Sequence, residues 1–92
     1  MLNELFAVIE DRKANPTEGS YTNRLLQEGE DKILQKIGEE SVEVIIAAKG
    51  QGDQRVVEET ADLLYHVLVL LAARGQSLAD VEAELRRRHI KG

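Results

Sequence analysis

Apolar residues recur along this chain with helical spacing rather than the alternation of strands. Leu2, Leu5, Phe6 and Ile9 stand at i, i+3, i+4 and i+7 and predict a first helix over residues 2–13, ended by Pro16. A second helix is predicted over 31–49, with Gly50 suited to the left-handed position after its end. The turn GQGD leads into a third over 53–74, with Asp53 as its N-cap and Gly75 closing it. Ser77 and Asp80 have the spacing of a capping box in its Asp variant and open a fourth helix through about residue 88. Between the first two helices, NPTEGSYTNRLLQEGED mixes turn formers with a short apolar patch, Leu25 and Leu26, and reads as a loop holding one or two helical turns. It is long for a connector, and loops of that length are usually functional or disordered.

This pattern predicts an all-α fold, an antiparallel bundle of about four helices with short turns between the last three. The third helix carries Leu63, Leu64, Val67, Leu68, Val69, Leu70, Leu71 and Ala72, apolar around nearly its whole circumference. A helix of that kind must be packed on several sides, and one domain of 92 residues has too few elements to do it. The bundle is therefore expected to be completed by a second copy, as a homodimer or higher homo-oligomer. A single domain over residues 1–92 follows from the length.

Composition narrows the function classes. With no cysteine there is no disulfide framework and no zinc-thiolate site, which suits a reducing compartment. The stretch MLNELFAVIEDRK has acidic residues where a signal peptide needs positive charge, so a cytoplasmic location is expected. The most apolar run, ADLLYHVLVLLAA, is shorter than the roughly 20 residues needed to span a bilayer and holds Asp62 and His66, so no membrane partner is expected. A net charge of −5, one Phe, two Tyr and no Trp argue against nucleic-acid binding. The basic cluster RRRH near the C-terminus complements the dipole of a last helical turn.

The chemistry is in the acidic residues. Lys36, Glu39, Glu40 and Glu43 fall within an arc of about 100° on a helical wheel, and carboxylates so spaced repel one another. Glu59, Asp62 and His66 likewise share one face of the third helix, and the short GQGD turn makes the two helices antiparallel neighbours whose faces can meet. Such a cluster calls for a cation. All-oxygen donors favour Mg²⁺, with Mn²⁺ as a second choice, over zinc, and Mg²⁺ commonly completes its shell with substrate phosphates. His66 alone suits a hydrogen-bonded core histidine and, beside the cluster, a residue that supports the ligands from behind. A di-iron bundle would need Glu-x-x-His, but Leu63 precedes His66 and Arg86 precedes His89. Neither an EF-hand loop nor a Walker-type phosphate loop is present.

EESVE followed after a short turn by ETAD has the form E-E-x-x-E then E-x-x-D, and it resembles the MazG-like all-α nucleoside triphosphate pyrophosphohydrolases. Within that superfamily SYTNRLLQEGEDKILQKIGEE and EETADLLYHVLVLLAARGQSL are similar to the phosphoribosyl-ATP pyrophosphohydrolase family of histidine biosynthesis. The resemblance implies Mg²⁺-dependent hydrolysis of the α–β phosphoanhydride of phosphoribosyl-ATP, giving phosphoribosyl-AMP and pyrophosphate. It implies Glu40, Glu43, Glu59 and Asp62 as metal ligands, with Glu39 as a further ligand or the base that orients the attacking water. Lys32 and Lys36, one turn apart, become candidates for substrate phosphate, and Ser20, Tyr21 and Thr22 offer hydroxyls to phosphate or ribose, although a turn and an N-cap also explain them. Two other functions fit the residues: a housecleaning nucleoside triphosphate pyrophosphatase, and a non-enzymatic oligomerisation module with a solvated acidic face.

Overall fold

The computed structural model describes residues 1–90, which form five α-helices and no strand: α1 (Leu2–Ala14), α2 (Tyr21–Glu28), α3 (Glu30–Gly50), α4 (Asp53–Ala73) and α5 (Leu78–Leu85). A π-helical turn, Arg86–Ile90, continues α5. The all-α expectation holds. The helix count is five rather than four, because the one or two helical turns expected within the connecting segment form a helix of their own, α2. Ser20 starts that helix as a true N-cap, its hydroxyl accepting from the Asn23 N–H at 3.3 Å, and Leu25 is pulled into the core. Gly29 then joins α2 to α3 at φ 101°, backbone a side chain would resist.

α3 and α4 are the longest elements and pack most extensively on each other. Glu30, at the start of α3, meets Arg74, just past the end of α4, at 2.9 Å, as an antiparallel pair requires. The turn between them differs in detail from the sequence reading. Gly50 stays in the last turn of α3, and the positive φ, 93°, falls at Gly52. Gly52 also takes the N-cap position of α4, leaving Asp53 as an acidic residue of the first turn without a capping bond. Gly75, at φ 72°, closes α4 as expected. The capping box of α5 forms in both directions, with Asp80 N–H donating to Ser77 Oγ at 3.1 Å and Ser77 N–H to Asp80 Oδ2 at 3.0 Å.

The core gathers one to three side chains from each helix: Phe6 and Ile9, Leu25, Ile33, then Leu68, Val69 and Ala72, and finally Leu78. Ile9, Leu25, Ile33 and Val69 are its largest fully buried members, and each contributes on the order of 1.5–3 kcal/mol by leaving water. α1 is fastened by Lys13, whose ammonium donates to the Ala72 carbonyl at 2.8 Å, and by Asn23, which links α2 to the α1 terminus. Much apolar surface is left over. Leu64 of α4 is exposed, as the crowded third helix led us to expect, and so are Val57 on α4 and Val42, Ile45 and Ile46 on α3, with Ile45 and Val57 each 62 % exposed. Among the described residues no helix is long and apolar enough to cross a membrane.

Candidate functional site

The acidic residues lie where α3 and α4 face each other. Glu40 from α3 and Glu59 from α4 are 6 % and 4 % exposed, unusual burial for carboxylates. Loss of hydration raises the Glu40 pKa, and the negative charges of Asp62 and Glu59 push it further, against the pull of His66 and Lys36. Contact with the Glu43 carboxyl is the main cause raising the Glu59 pKa, followed by burial. Glu40, Glu43, Glu59 and Asp62 therefore belong to one electrostatic neighbourhood. Glu43 and Asp62 are its solvent-exposed members. Asp62 is exposed despite the apolar run around it in sequence.

His66, 5 % exposed, organises the back of this cluster. Its Nδ1 lies 2.9 Å from the Asp62 carbonyl, which can only accept, so Nδ1 carries a proton. The same nitrogen touches Glu40 Oε1, while its N–H is committed to the carbonyl. Glu40 thus gains attraction without a well-formed hydrogen bond, and Glu40 Oε1 and Glu59 Oε2 are both buried with no hydrogen-bond partner. On the other side of the ring, Nε2 meets the Tyr21 hydroxyl at 3.0 Å.

Unpartnered buried carboxylate oxygens are costly, and a set of hard oxygen donors with raised pKa values fits a divalent cation such as Mg²⁺. Among the described residues, however, no three His, Asp or Glu side chains converge closely enough to hold an ion as they stand. Arg55 explains part of this: its guanidinium pairs with both Glu58 and Glu59, neutralising Glu59 from outside the cluster. That pairing uses Glu59 Oε1 and leaves Oε2 without a partner.

The other sequence candidates divide. Glu39 is exposed, accepts from Gln35 at 3.1 Å and pairs with Lys36 at 3.6 Å, and the Gln35 hydrogen bond, reinforced by Lys36, lowers its pKa. It stands beside the buried cluster rather than in it. Tyr21 reaches the cluster through His66. Ser20 is engaged as the α2 cap, and the Thr22 hydroxyl meets that of Tyr65. Lys32 and Lys36 line a cavity of about 380 Å³ along α2 and α3, together with Tyr21, Arg24 and Glu28. Arg24, Arg55 and Tyr65 are the residues the sequence reading missed. Arg55 was readable, three and four positions before Glu58 and Glu59 on one helix face. Arg24 gains its place when α2 packs against α3, and Tyr65 when α2 meets α4.

The site is thus a set of carboxylates presented across two antiparallel helices of an all-α scaffold, with lysine and arginine side chains beside them. Comparison with known proteins gives the family. The phosphoribosyl-ATP pyrophosphohydrolase family model matches residues 2–89. A phosphoribosyl-ATP pyrophosphatase of Listeria welshimeri is 57 % identical over 91 residues, covering 99 % of this chain and 87 % of the relative. One of Lactiplantibacillus plantarum is 56 % identical over 90 residues, covering 98 % and 85 %. The histidine biosynthesis bifunctional protein HisIE of Caldanaerobacter subterraneus is 50 % identical over 91 residues, 99 % of this chain but 44 % of that longer protein. The chain belongs to the phosphoribosyl-ATP pyrophosphohydrolase family.

Proposed function

We propose that this protein hydrolyses the α–β phosphoanhydride of phosphoribosyl-ATP, releasing phosphoribosyl-AMP and pyrophosphate in histidine biosynthesis. The observation that carries the reading is the pair of buried, unpartnered carboxylate oxygens on Glu40 and Glu59 in a chain whose relatives are phosphoribosyl-ATP pyrophosphatases. Glu40, Glu43, Glu59 and Asp62 would hold Mg²⁺, or Mn²⁺, which supplies positive charge to neutralise the phosphates.

The chain's own residues do the rest. His66 is a positioning residue: its Nδ1–H is fixed by the Asp62 carbonyl and its Nε2 by Tyr21, so the ring holds Glu40 in place without leaving the core. Lys36, next to Glu39 and one turn before Glu40, meets the phosphates as they enter, and Lys32 extends that positive wall. Glu39, kept ionised by Gln35 and Lys36, faces solvent, where an attacking water is drawn from, and orients that water. Ser20 and Thr22 serve this binding indirectly by fixing the start of α2, and Tyr21 presents its hydroxyl. Phosphoryl transfer needs mostly positioning and charge neutralisation, which this arrangement provides.

The exposed apolar residues Val42, Ile45, Ile46, Val57 and Leu64 support pairing with further copies of this chain, as a homodimer or higher homo-oligomer. Residues 1–92 act as one domain, and a cytoplasmic setting follows from the biosynthetic role. The test is direct: phosphoribosyl-ATP incubated with the protein and Mg²⁺ should yield phosphoribosyl-AMP and pyrophosphate in equal amounts, and a chelator should stop the reaction. Release of single phosphate, or persistence of activity in chelator, would reject the reading.

A further inference from the structure

The cavity beside the carboxylates has a charge pattern that metal binding does not use. Its walls are Tyr21, Arg24, Leu25 and Glu28 from α2 with Lys32 and Lys36 from α3, so three cations face one carboxylate on a chain whose net charge is −5. Lys36 is held by Glu39, but Arg24 and Lys32 have no ion-pair partner among the described residues. Glu28 subtracts from the attraction for an anion and leaves the cavity net positive.

Arg24 is also held in place. Its guanidinium lies 5.2 Å from the centroid of the Tyr21 ring, that ring stacks on Tyr65 at 6.2 Å and 25°, and its hydroxyl is fixed by His66. A guanidinium held over an aromatic face loses less freedom on binding, and its planar fork matches a phosphate dianion. Position completes the case. At about 1.5 Å rise per residue, Lys32 stands on the order of 12 Å along α3 from Glu40 and about 16 Å from Glu43. One phosphoryl group cannot touch both ends.

Resting on the function proposed above, we infer that Arg24, seated on Tyr21, and Lys32 form a second phosphate subsite, which binds the 5-phosphate of the phosphoribosyl arm. This subsite sets the preference for a substrate that carries phosphoryl groups at both ends, and Arg24 is its specificity-determining residue.

Calorimetry with phosphoribosyl-AMP and with AMP tests this, alongside inhibition of phosphoribosyl-ATP hydrolysis by ribose 5-phosphate. Arg24→Gln should weaken phosphoribosyl-AMP at least 10-fold more than AMP and weaken ribose 5-phosphate inhibition by a similar factor. Lys32→Gln should act in the same direction, and Arg24→Lys should recover only part of the loss, because an ammonium lacks the planar fork. Arg24 is exposed, and circular dichroism should report an unchanged fold in its variants. Equal weakening of phosphoribosyl-AMP and AMP, or unchanged ribose 5-phosphate inhibition, would overturn the subsite while normal wild-type hydrolysis kept the parent reading intact. Failure of the wild-type protein to hydrolyse phosphoribosyl-ATP would overturn both.

Discussion

Asn23→Ala tests how α2 is held against the rest of the chain. Asn23 is 6 % exposed and its amide works in both directions: Nδ2 donates to the Arg12 carbonyl at 2.6 Å, and Oδ1 accepts from the Thr17 N–H at 2.7 Å. Those two bonds tie the end of α1, the connecting segment and α2 together, and α2 in turn carries Tyr21 to His66. A neutral hydrogen bond contributes about 1 kcal/mol net, and stranding a part-buried backbone partner costs about 1–3 kcal/mol. The better helix propensity of alanine returns roughly 0.5 kcal/mol. The net expectation is a loss of about 2–3 kcal/mol, equivalent to a fall in Tm of roughly 10–20 °C for a domain of this size. Urea denaturation followed by circular dichroism, at one protein concentration so that any assembly is held constant, should move the midpoint with little change in slope. Asn23→Asp keeps the acceptor for Thr17 but sets a buried carboxylate oxygen against the Arg12 carbonyl, so it should cost at least as much as alanine. An alanine variant within about 0.5 kcal/mol of wild type, the ordinary range for an uninvolved surface site, would refute the reasoning.

Glu40→Gln, Glu43→Gln and Asp62→Asn should each lower kcat by about 100-fold or more, with helical content near wild type, since each removes a charge and almost no volume; full activity in all three would remove the metal-site assignment. Saturating Mg²⁺ or Mn²⁺ should raise Tm, and the rise should shrink in Glu59→Gln. In chelator the sign follows from the raised pKa values of Glu40 and Glu59. The stability their protonated forms contribute is complete below the ordinary carboxylate value of 4.5 and is lost as pH rises through the raised folded values, so metal-free wild type should weaken relative to Glu59→Gln from pH 4.5 upward. A pH-independent difference between the two proteins would show that Glu59 carries no such penalty. Sedimentation at micromolar concentration should find no dominant monomer, and Ile45→Glu, which charges the exposed stripe, should produce one; a monomeric wild type with the same melting behaviour would mean that the stripe is simply solvated.

The long helices were legible because their signals are redundant. α3 and α4 each run for 21 residues of predominantly helical apolar patterning, and the strong boundary signals, Gly75 closing α4 and the Ser77–Asp80 box opening α5, act locally. α2 was not fully legible. Its eight residues hold few apolar positions, and what stabilises it is Leu25 entering a core built by other helices and Asn23 bonding to α1, neither visible in its own periodicity. Gly50 and Gly52 offered two places for one positive φ, and local sequence does not choose between them. At the site, helical spacing was enough to bring Glu40, Glu43, Glu59 and Asp62 near one another, because a short turn fixes the register of the pair. Burial was harder to read. Asp62 lies within an apolar run yet is exposed, whereas Glu40 and Glu59 look like surface residues yet are buried, since burial depends on where α2 and α4 meet α3. The contact of Arg24 with Tyr21 is an i,i+3 pair within α2 and follows once that helix forms.

Specificity is the most direct measure of the central claim that this site acts on phosphoribosyl-ATP. Initial rates of pyrophosphate release should be measured side by side on phosphoribosyl-ATP, ATP and dUTP at saturating Mg²⁺. A site that draws binding energy from the phosphoribosyl arm to position the anhydride should give kcat/KM for phosphoribosyl-ATP on the order of 100-fold or more above the others, or about 2.7 kcal/mol of differential transition-state binding. Comparable efficiency on the three substrates would contradict the account and favour a general nucleoside triphosphate pyrophosphatase.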